Sequence, residues 1–420
     1  MQEVLPLKTV GLVVEYNPFH NGHLYHLTES KRVTNADAVI AVMSGSFLQR
    51  GEPALVDKWA RTKMALFGGC DIVIELPYLY AVQHASLFAR GAVAALDQLK
   101  VDTVAFGSED GSIDRFQETI RFMEQNKASY EKYLHLYLQK GFSYPRASSA
   151  AYSEIKPPAF NGVDLSAPNN ILGIQYCEAV KDLESSITPY TITREKAGYH
   201  DPEPGDSAIA SATSIRNRLL SEEYSLDDVR PFVPETTFDV LKEFYKTHGQ
   251  WHQWNDYFPY IQHQLITKSP KELGLIYEME EGLEYRFKKA VTKAGDFESF
   301  MDYVKTKRYT RTRLQRSLVH LLLGTTKKQA GELVHPLRPD YIRVLGMSEN
   351  GRNYLNGIKK DIDVPLISNA SKGDSIPALE KDIQAATVHY LPLVLRGTGS
   401  PVREYTAHPI RVNKNEEASI

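Results

Sequence analysis

The sequence predicts an α/β fold in which a parallel, helix-covered sheet fills the N-terminal half and a mainly helical region follows it. Three observations carry this. Short β-branched runs alternate with longer segments of helical period through the first hundred residues, as in βαβ units. AVIAV (38–42) and IVI (72–74) are apolar rather than alternating, as strands buried on both faces require. A chain of 420 residues with 42% hydrophobic and 24% charged side chains can bury a sizeable core, and at about 100–200 residues per domain it holds two or three units.

In chain order, strands are expected at Thr9–Val14, Asp37–Val42, Asp71–Glu75 and Asp102–Phe106, with helices at Leu55–Phe67 and Ala85–Leu99. Helices follow from Arg115 to Lys140 and at Asn170–Leu183, and TPYTITRE (188–195) forms one more strand. A helix starting near Thr213 closes this unit, and Pro231 and Pro234 punctuate its end. Residues 1–225 and 226–420 are therefore expected as two units. In the second, helices are expected at Thr237–Tyr245, Asp256–Ile266, Phe297–Val304 and Leu314–Leu323. Tyr341–Leu345 and Thr387–Leu395 are expected as a strand pair, and the tail from Pro401 as frayed.

Composition narrows the function. No apolar run approaches the ~18 residues that span a bilayer, and the early acidic residue and missing cleavage site argue against a secretory signal. Cys70 and Cys177 lie in apolar segments, which fits buried thiols in a reducing cytoplasm. A net charge of −3 leaves any nucleic-acid partner to a local basic patch.

EYNPFHNGHLYH (15–26) follows the first apolar run, so His20 and His23 fall between a strand end and the helix Leu24–Lys31. Open α/β sheets bind ligands beyond the carboxyl ends of their strands. Gly22 lets backbone approach a ligand, and the N–H groups and dipole of a helix start favour an anion. Two imidazoles added there suit phosphates and the charge that builds during phosphoryl or adenylyl transfer. Two plainer readings stand beside this one: the histidines cap the turn, or they bind zinc with His26 as a third ligand.

SGSFLQRGEPALVDKWAR (44–61) opens with a Gly-bounded loop facing the same cleft. Ser46, Gln49 and Arg50 are candidates for a substrate pocket, with a structural turn as the alternative. Asp57, Lys58 and Arg61 are expected on the exposed face of the next helix. KTKRYTRTRLQR (305–316) carries Lys305, Lys307, Arg308, Arg311, Arg313 and Arg316 with no acid among them. It feeds a helix whose apolar face is Leu314, Leu318, Leu321 and Leu322. Cations at a helix start oppose the dipole, so an RNA backbone is a fitting counterpart, with Tyr309 to stack. A solvated basic face is the alternative.

HNGH after a first strand resembles the HxGH signature of the nucleotidyltransferase superfamily. ASATSIRNRL (210–219) resembles its second signature, with Ser211, Thr213, Ser214 and Arg216 in place and Ala212 where the general pattern has Ser or Thr. More narrowly, VVEYNPFHNGH, MSGSFLQRGEPA (43–54), DIVIELP (71–77), FGSED (106–110), PNNILG (168–173) and TREKAGYHD (193–201) resemble the bacterial tRNA(Met) cytidine acetate ligase family. TKRYTRTRLQR (306–316) extends the match.

The resemblance implies a Rossmann-like nucleotidyltransferase domain in 1–225 that binds ATP, and a mainly helical region 226–420 that binds tRNA. The implied enzyme takes ATP as substrate, with Mg²⁺, and activates acetate as acetyl-adenylate. It then passes the acetyl group to N4 of the wobble cytidine of elongator tRNA(Met), giving N4-acetylcytidine, without acetyl-CoA and without a membrane. By the same resemblance His20, His23, Ser214 and Arg216 are catalytic. ATP contacts come from Val13, Val14, Glu15, Tyr16, Asn17, Pro18, Phe19, His20, Asn21, Gly22 and His23, together with Gly107, Asn169, Asn170 and Arg194. Ser46, Gln49 and Arg50 would take acetate or cytidine. Lys305, Lys307, Arg308, Tyr309, Arg311, Arg313 and Arg316 would meet tRNA. A coenzyme-type adenylyltransferase shares both signatures but needs no helical second half, and a non-catalytic RNA-binding protein has no use for His20, Gly22, His23 and Arg216.

Overall fold

The structure, a computed structural model, describes residues 7–193, 209–334, 337–372 and 376–413. Its strands are β1 (Thr9–Val14), β2 (Ala38–Ser44), β3 (Ile72–Leu76), β4 (Thr103–Ser108), β5 (Thr188–Thr193), β6 (Ile342–Ser348), β7 (Leu366–Ile367) and β8 (Ile410–Val412). They form one sheet in the order β5-β4-β1-β2-β3-β6-β7, with β8 also on β6. β1 to β5 run parallel, and β6 lies antiparallel to β3. The helices used below are α1 (Asn21–Thr34), α2 (Lys58–Phe67), α3 (Ala85–Gln98), α4 (Pro168–Asp182), α5 (Ala212–Leu220), α6 (Arg311–Leu322) and α7 (Pro377–Leu395).

β2 is buried along its whole length, and its side chains alternate between two cores as the pleat requires. Ile40 and Val42 pack with Ile74, Val93 and Leu96 on one side. Val39, Ala41 and Met43 pack with Val73, Leu27 and Met64 on the other. β1, β2 and β3 proceed in one direction across the sheet, and β4 then returns to the far side of β1. The carboxyl ends of β1 and β4 therefore flank a strand-order reversal, the place where such sheets hold ligands.

The expected strands of the first half are present, each within a residue or two of its expected bounds. Four features of the second half and its junction depart from expectation. The sheet crosses the division at residue 225, because β6, β7 and β8 come from the second half. Thr387–Leu395 is not a strand but the end of α7. Its β-branched residues read locally as β, yet Leu379, Ile383, Ala386, Tyr390 and Leu393 form one buried helical stripe. The tail is ordered through Asn413: Glu404 is buried and β8 pairs with β6.

The fourth departure is energetic. Asp57, Lys58 and Arg61 are buried, not exposed. Lys58 Nζ donates to both Glu75 oxygens at 2.7 Å and pairs with Glu404 at 2.8 Å. Arg343 of β6 pairs with Glu404 at 2.9 Å and with Glu75 at 3.6 Å. Asp57 caps α2 through Ala60 N and meets Arg403 at 3.3 Å. Arg61 donates to the carbonyls of Glu15 and Ser44. The C-terminal segment covers the charged face of α2, and the charges tolerate burial because they are paired. Burial works to raise the Glu404 carboxyl, but Lys58 and Arg343 outweigh it and hold it low.

Candidate functional site

β1 ends at Val14, and the chain turns through Tyr16, held at a left-handed φ of 46°. Phe19 is buried in the core behind the turn, and His20 becomes the N-cap of α1. Its Nδ1 accepts from Gly22 N at 3.0 Å, while His23 Nδ1 accepts from His20 N at 3.3 Å. Two imidazoles thus build the reciprocal cap that a hydroxyl and a carboxylate usually make. A neutral imidazole whose Nδ1 accepts carries its proton on Nε2. The caps therefore fix the tautomer, and each ring becomes a donor at Nε2. The rings stack at 3.7 Å. A Cβ on Gly22 would lie 2.9 Å from His20 Cε1, so glycine makes room for the ring. The turn-capping reading of the histidines is thus present in the fold. Among the described residues no group of three or more His, Cys, Asp or Glu is arranged to hold a metal ion.

The second signature meets the first. Ser211 caps α5 by accepting from Ser214 N at 3.1 Å. Arg216, one turn on, donates through Nη1 to Asn17 O and through Nη2 to Glu52, both at 3.0 Å. Asn21 Nδ2 donates to Pro231 O, which ties the start of α1 to the segment after α5. Ser214 stands on the first turn of α5, so the two motifs share one wall.

At β4, Gly107 and Ser108 lie at the same sheet edge as Val14, since β4 pairs in parallel with β1. Asn170 Oδ1 accepts from Glu109 N and Asp110 N, and Asn169 Nδ2 donates to Glu109 at 2.6 Å. Asn170 is buried and holds the loop, whereas Asn169 lies at its surface. The edge brings the backbone of Val13 to His23 near Gly107, Asn169, Asn170, Ser214 and Arg216, but the side chains of Val14, Tyr16, Asn17 and Phe19, expected at the nucleotide, are buried in the protein. Arg194 and most of TREKAGYHD lie outside the described residues.

The Gly-bounded loop lines the crevice beside Arg216. Ser46 is buried and accepts from Ala54 N through its carbonyl, a role in the turn rather than toward solvent. Gln49 donates its N–H to Glu15 at 2.7 Å and its side chain to Gln83 O. Burial pushes the Glu15 carboxyl up, against the Gln49 N–H and Arg50. Arg50 is exposed. Glu52, which sequence reasoning passed over, pairs with Arg216, and its lone place in a polar loop carried no signal of that contact.

The basic stretch differs from expectation. Arg308 pairs with Glu281 at 2.9 Å, Arg311 with Glu298 at 2.5 Å, Arg313 with Glu280 at 3.6 Å and Arg316 with Glu278 at 3.0 Å. Tyr309 is buried under Arg313, donates to Glu281, and is not placed to stack on a base. Lys305 and Lys307 have no ion-pair partner among the described residues. Leu314, Leu318, Leu321 and Leu322 are buried as the periodicity requires.

Comparison with known proteins agrees with the geometry. The model of the HIGH nucleotidyl transferase family matches residues 7–397. The tRNA(Met) cytidine acetate ligase of Bacillus licheniformis is 46% identical over 416 residues, covering 97% of this chain and 98% of that protein. The Bacillus subtilis protein of the same name is 45% identical over 415 residues, covering 98% and 99%. The crystal structure of Thermotoga maritima TmcAL bound with α-thio ATP superposes with a TM-score of 0.87 at 31% identity, covering 97% of this chain and all of that one. With both signatures folded into one crevice and relatives of this identity matching end to end, the chain belongs to the tRNA(Met) cytidine acetate ligase family of HIGH nucleotidyl transferases.

Proposed function

We propose that the chain binds ATP in the crevice between β1 and β4, joins acetate to it as acetyl-adenylate, and acetylates N4 of the wobble cytidine of elongator tRNA(Met). The observation that carries this is Arg216 of the second signature anchored on the Asn17 carbonyl of the first, which brings the two signatures together beside the histidine-capped start of α1. Acetate oxygen attacks the α-phosphate in line and pyrophosphate leaves. Such a step needs placement and charge neutralisation more than covalent help. His20 and His23 hold the α- and β-phosphates, and Ser214 and Arg216 hold the pyrophosphate end. Val13 to Phe19, Gly107, Asn169, Asn170 and Arg194 hold the nucleoside and its phosphates. Mg²⁺ bound with the ATP would help neutralise its phosphates, since no cluster of three or more His, Cys, Asp or Glu among the described residues is arranged to hold it alone.

Residues 226–420 supply the tRNA surface in this reading. Its support is that α6, which carries the arginines, lies against Gly51 of the crevice loop. RNA phosphates take the places of Glu280, Glu281 and Glu298 beside Arg308, Arg311, Arg313 and their neighbours Lys305 and Lys307. Cys70 and Cys177 are buried free thiols, in keeping with action in the cytoplasm, and no helix of the described residues is long and apolar enough to cross a membrane. The test is acetate-dependent exchange of pyrophosphate into ATP by the purified protein, followed by transfer of labelled acetate to tRNA(Met). Exchange that needs acetate, with label from acetate, is expected. Label entering tRNA from acetyl-CoA but not from acetate overturns it.

A further inference from the structure

Glu52 stands where the crevice and the arginine row meet. Its carboxylate accepts from Arg216 at 3.0 Å, and its side chain keeps 31% of its surface open to solvent, enough for a substrate group to reach it. The turn that carries it is fixed on several sides. Glu52 O accepts from Leu48 N at 2.9 Å, and Gly51 N donates to Leu48 O at 2.8 Å. Gln49 N is held by Glu15, and Phe47 pairs across to Pro53. Gly51, at a φ of 76°, lies so close to the backbone of Gln315 and Arg316 that any side chain would collide with it. Arg311, on the first turn of α6, has its positive charge supported first by Glu298 and also by Glu52.

This position has a chemical consequence that rests on the reading proposed above. Without nucleotide, Glu52 and Arg216 satisfy each other. A triphosphate offers Arg216 a stronger partner, since an anion with several oxygens suits a guanidinium fork better than one exposed carboxylate. The Glu52 carboxylate then has acceptor capacity to spare, in a loop too tightly held to follow the arginine. Cytosine presents its exocyclic amine as a donor, which a carboxylate complements, whereas uracil presents an acceptor at the same position.

We propose that Glu52 is a catalytic residue of the second half-reaction, receiving the N4 amine of the cytidine and taking its proton. In that step the N4 nitrogen forms a bond to the acetyl carbonyl carbon. The bond from that carbon to the AMP phosphate oxygen breaks, and AMP leaves with the electron pair. The proton lost by N4 passes to Glu52 and then to water. No oxidant or further co-reactant enters. Arg216 links the two half-reactions, because its move to the phosphates is what frees the acceptor.

The test uses the full-length protein with Glu52→Gln and Glu52→Asp. Two readouts are compared: acetate-dependent pyrophosphate exchange, and single-turnover transfer from enzyme-bound acetyl-adenylate to a tRNA(Met) transcript. Glutamine keeps the length and an acceptor oxygen for Arg216 but cannot take the proton. Transfer by Glu52→Gln is expected to fall about 10²–10⁴-fold, the range of general-base catalysis, and by far more than exchange falls. Glu52→Asp, which keeps a carboxylate, recovers part of the transfer, and carries the test alone if the glutamine variant does not fold. Transfer by Glu52→Gln within a few-fold of the parent overturns the proposal. So does exchange that falls in step with transfer, which would make Glu52 only a support for Arg216. Absence of acetate-dependent exchange in the parent protein would instead overturn the function proposed for the whole site.

Discussion

The crevice and the arginine row are both cationic, but their cations are held in opposite ways. In the crevice, Arg216 leans on a backbone carbonyl and one carboxylate, and the histidines cap a helix start through their Nδ1 atoms. In the row, Arg308, Arg311, Arg313 and Arg316 each have a glutamate, so an incoming anion must displace one. The first arrangement gives preorganised donors, which matter most where charge develops during reaction. The second gives a surface whose affinity is the difference between two partners, and exposed ion pairs such as those of Arg308, Arg311 and Arg313 are worth only ~0.2–1 kcal/mol each. In the function proposed above, chemistry belongs to the crevice, and docking that can be released belongs to the row.

Replacing a crevice donor is the hardest test of that contrast. His20→Ala removes one preorganised donor and a helix cap, and acetate-dependent exchange should fall about 10²–10³-fold. tRNA binding by gel shift should stay near the parent value. An effect on tRNA binding as large as that on exchange would erase the distinction.

Charge reversal in the row comes next. Arg308→Glu, Arg311→Glu and Arg313→Glu together should weaken tRNA binding and flatten its salt dependence by roughly 0.7–0.9 of a logarithmic slope unit per lost contact. Exchange should hold near the parent rate. Unchanged affinity across a salt series would mark the row as a solvated face.

Acid should loosen the support beneath the crevice loop. His389 donates through Nε2 to Ala54 O at 2.9 Å, and burial pushes its imidazole down to about 4. Burial likewise pushes His320 down to about 3. Both are neutral in the fold, whereas in the unfolded chain they titrate near 6.5. The unfolded chain therefore binds more protons below that value. Stability should be full above about pH 6.5 and fall by ~1.4 kcal/mol per unit for each group as pH drops toward 4. Urea unfolding at pH 7, 6 and 5 reads this directly, and a flat profile would refute the buried neutral histidines.

The smallest effect is a gain. Glu280→Gln and Glu281→Gln remove competitors for Arg308 and Arg313, so tRNA affinity should rise a few-fold, most clearly at low salt. Lower affinity would mean that the glutamates orient the arginines rather than shield them.

The parts of this arrangement legible in the sequence are those whose cause is local. β1 to β4, the cap at His20 and Ser211, and the apolar stripe of α6 all follow from neighbours a few positions apart. What escaped depends on distant partners. The buried Lys58 looked like a solvated helix face because Glu404 and Arg343 arrive hundreds of residues later, and Arg61 because its partners are the carbonyls of Glu15 and Ser44 on other elements. The arginine row looked unopposed because Glu281 lies 27 positions before Arg308 and Glu278 lies 38 before Arg316. Thr387–Leu395 was misread because three β-branched residues outweighed a helix whose start, at Pro377, lies ten residues earlier. Glu52 was passed over because a glutamate in a loop is usually solvated, and only the folded contact with Arg216 distinguishes it.

The antiparallel seam between β3 and β6 also sets a timetable for synthesis. A ribosome releases β3 long before β6, β7 and β8 exist. At about 5–20 residues per second the sheet waits on the order of ten seconds to a minute with its β3 edge unpaired. Over that interval Lys58 and Glu75 can pair with each other, but Arg343 and Glu404 are absent. An open edge beside a charge pair not yet covered by the C-terminal segment is a surface on which nascent chains stick to one another. The last strands to emerge are thus the ones that close the molecule, and a chain cut short before Ile342 would remain in its most adhesive form.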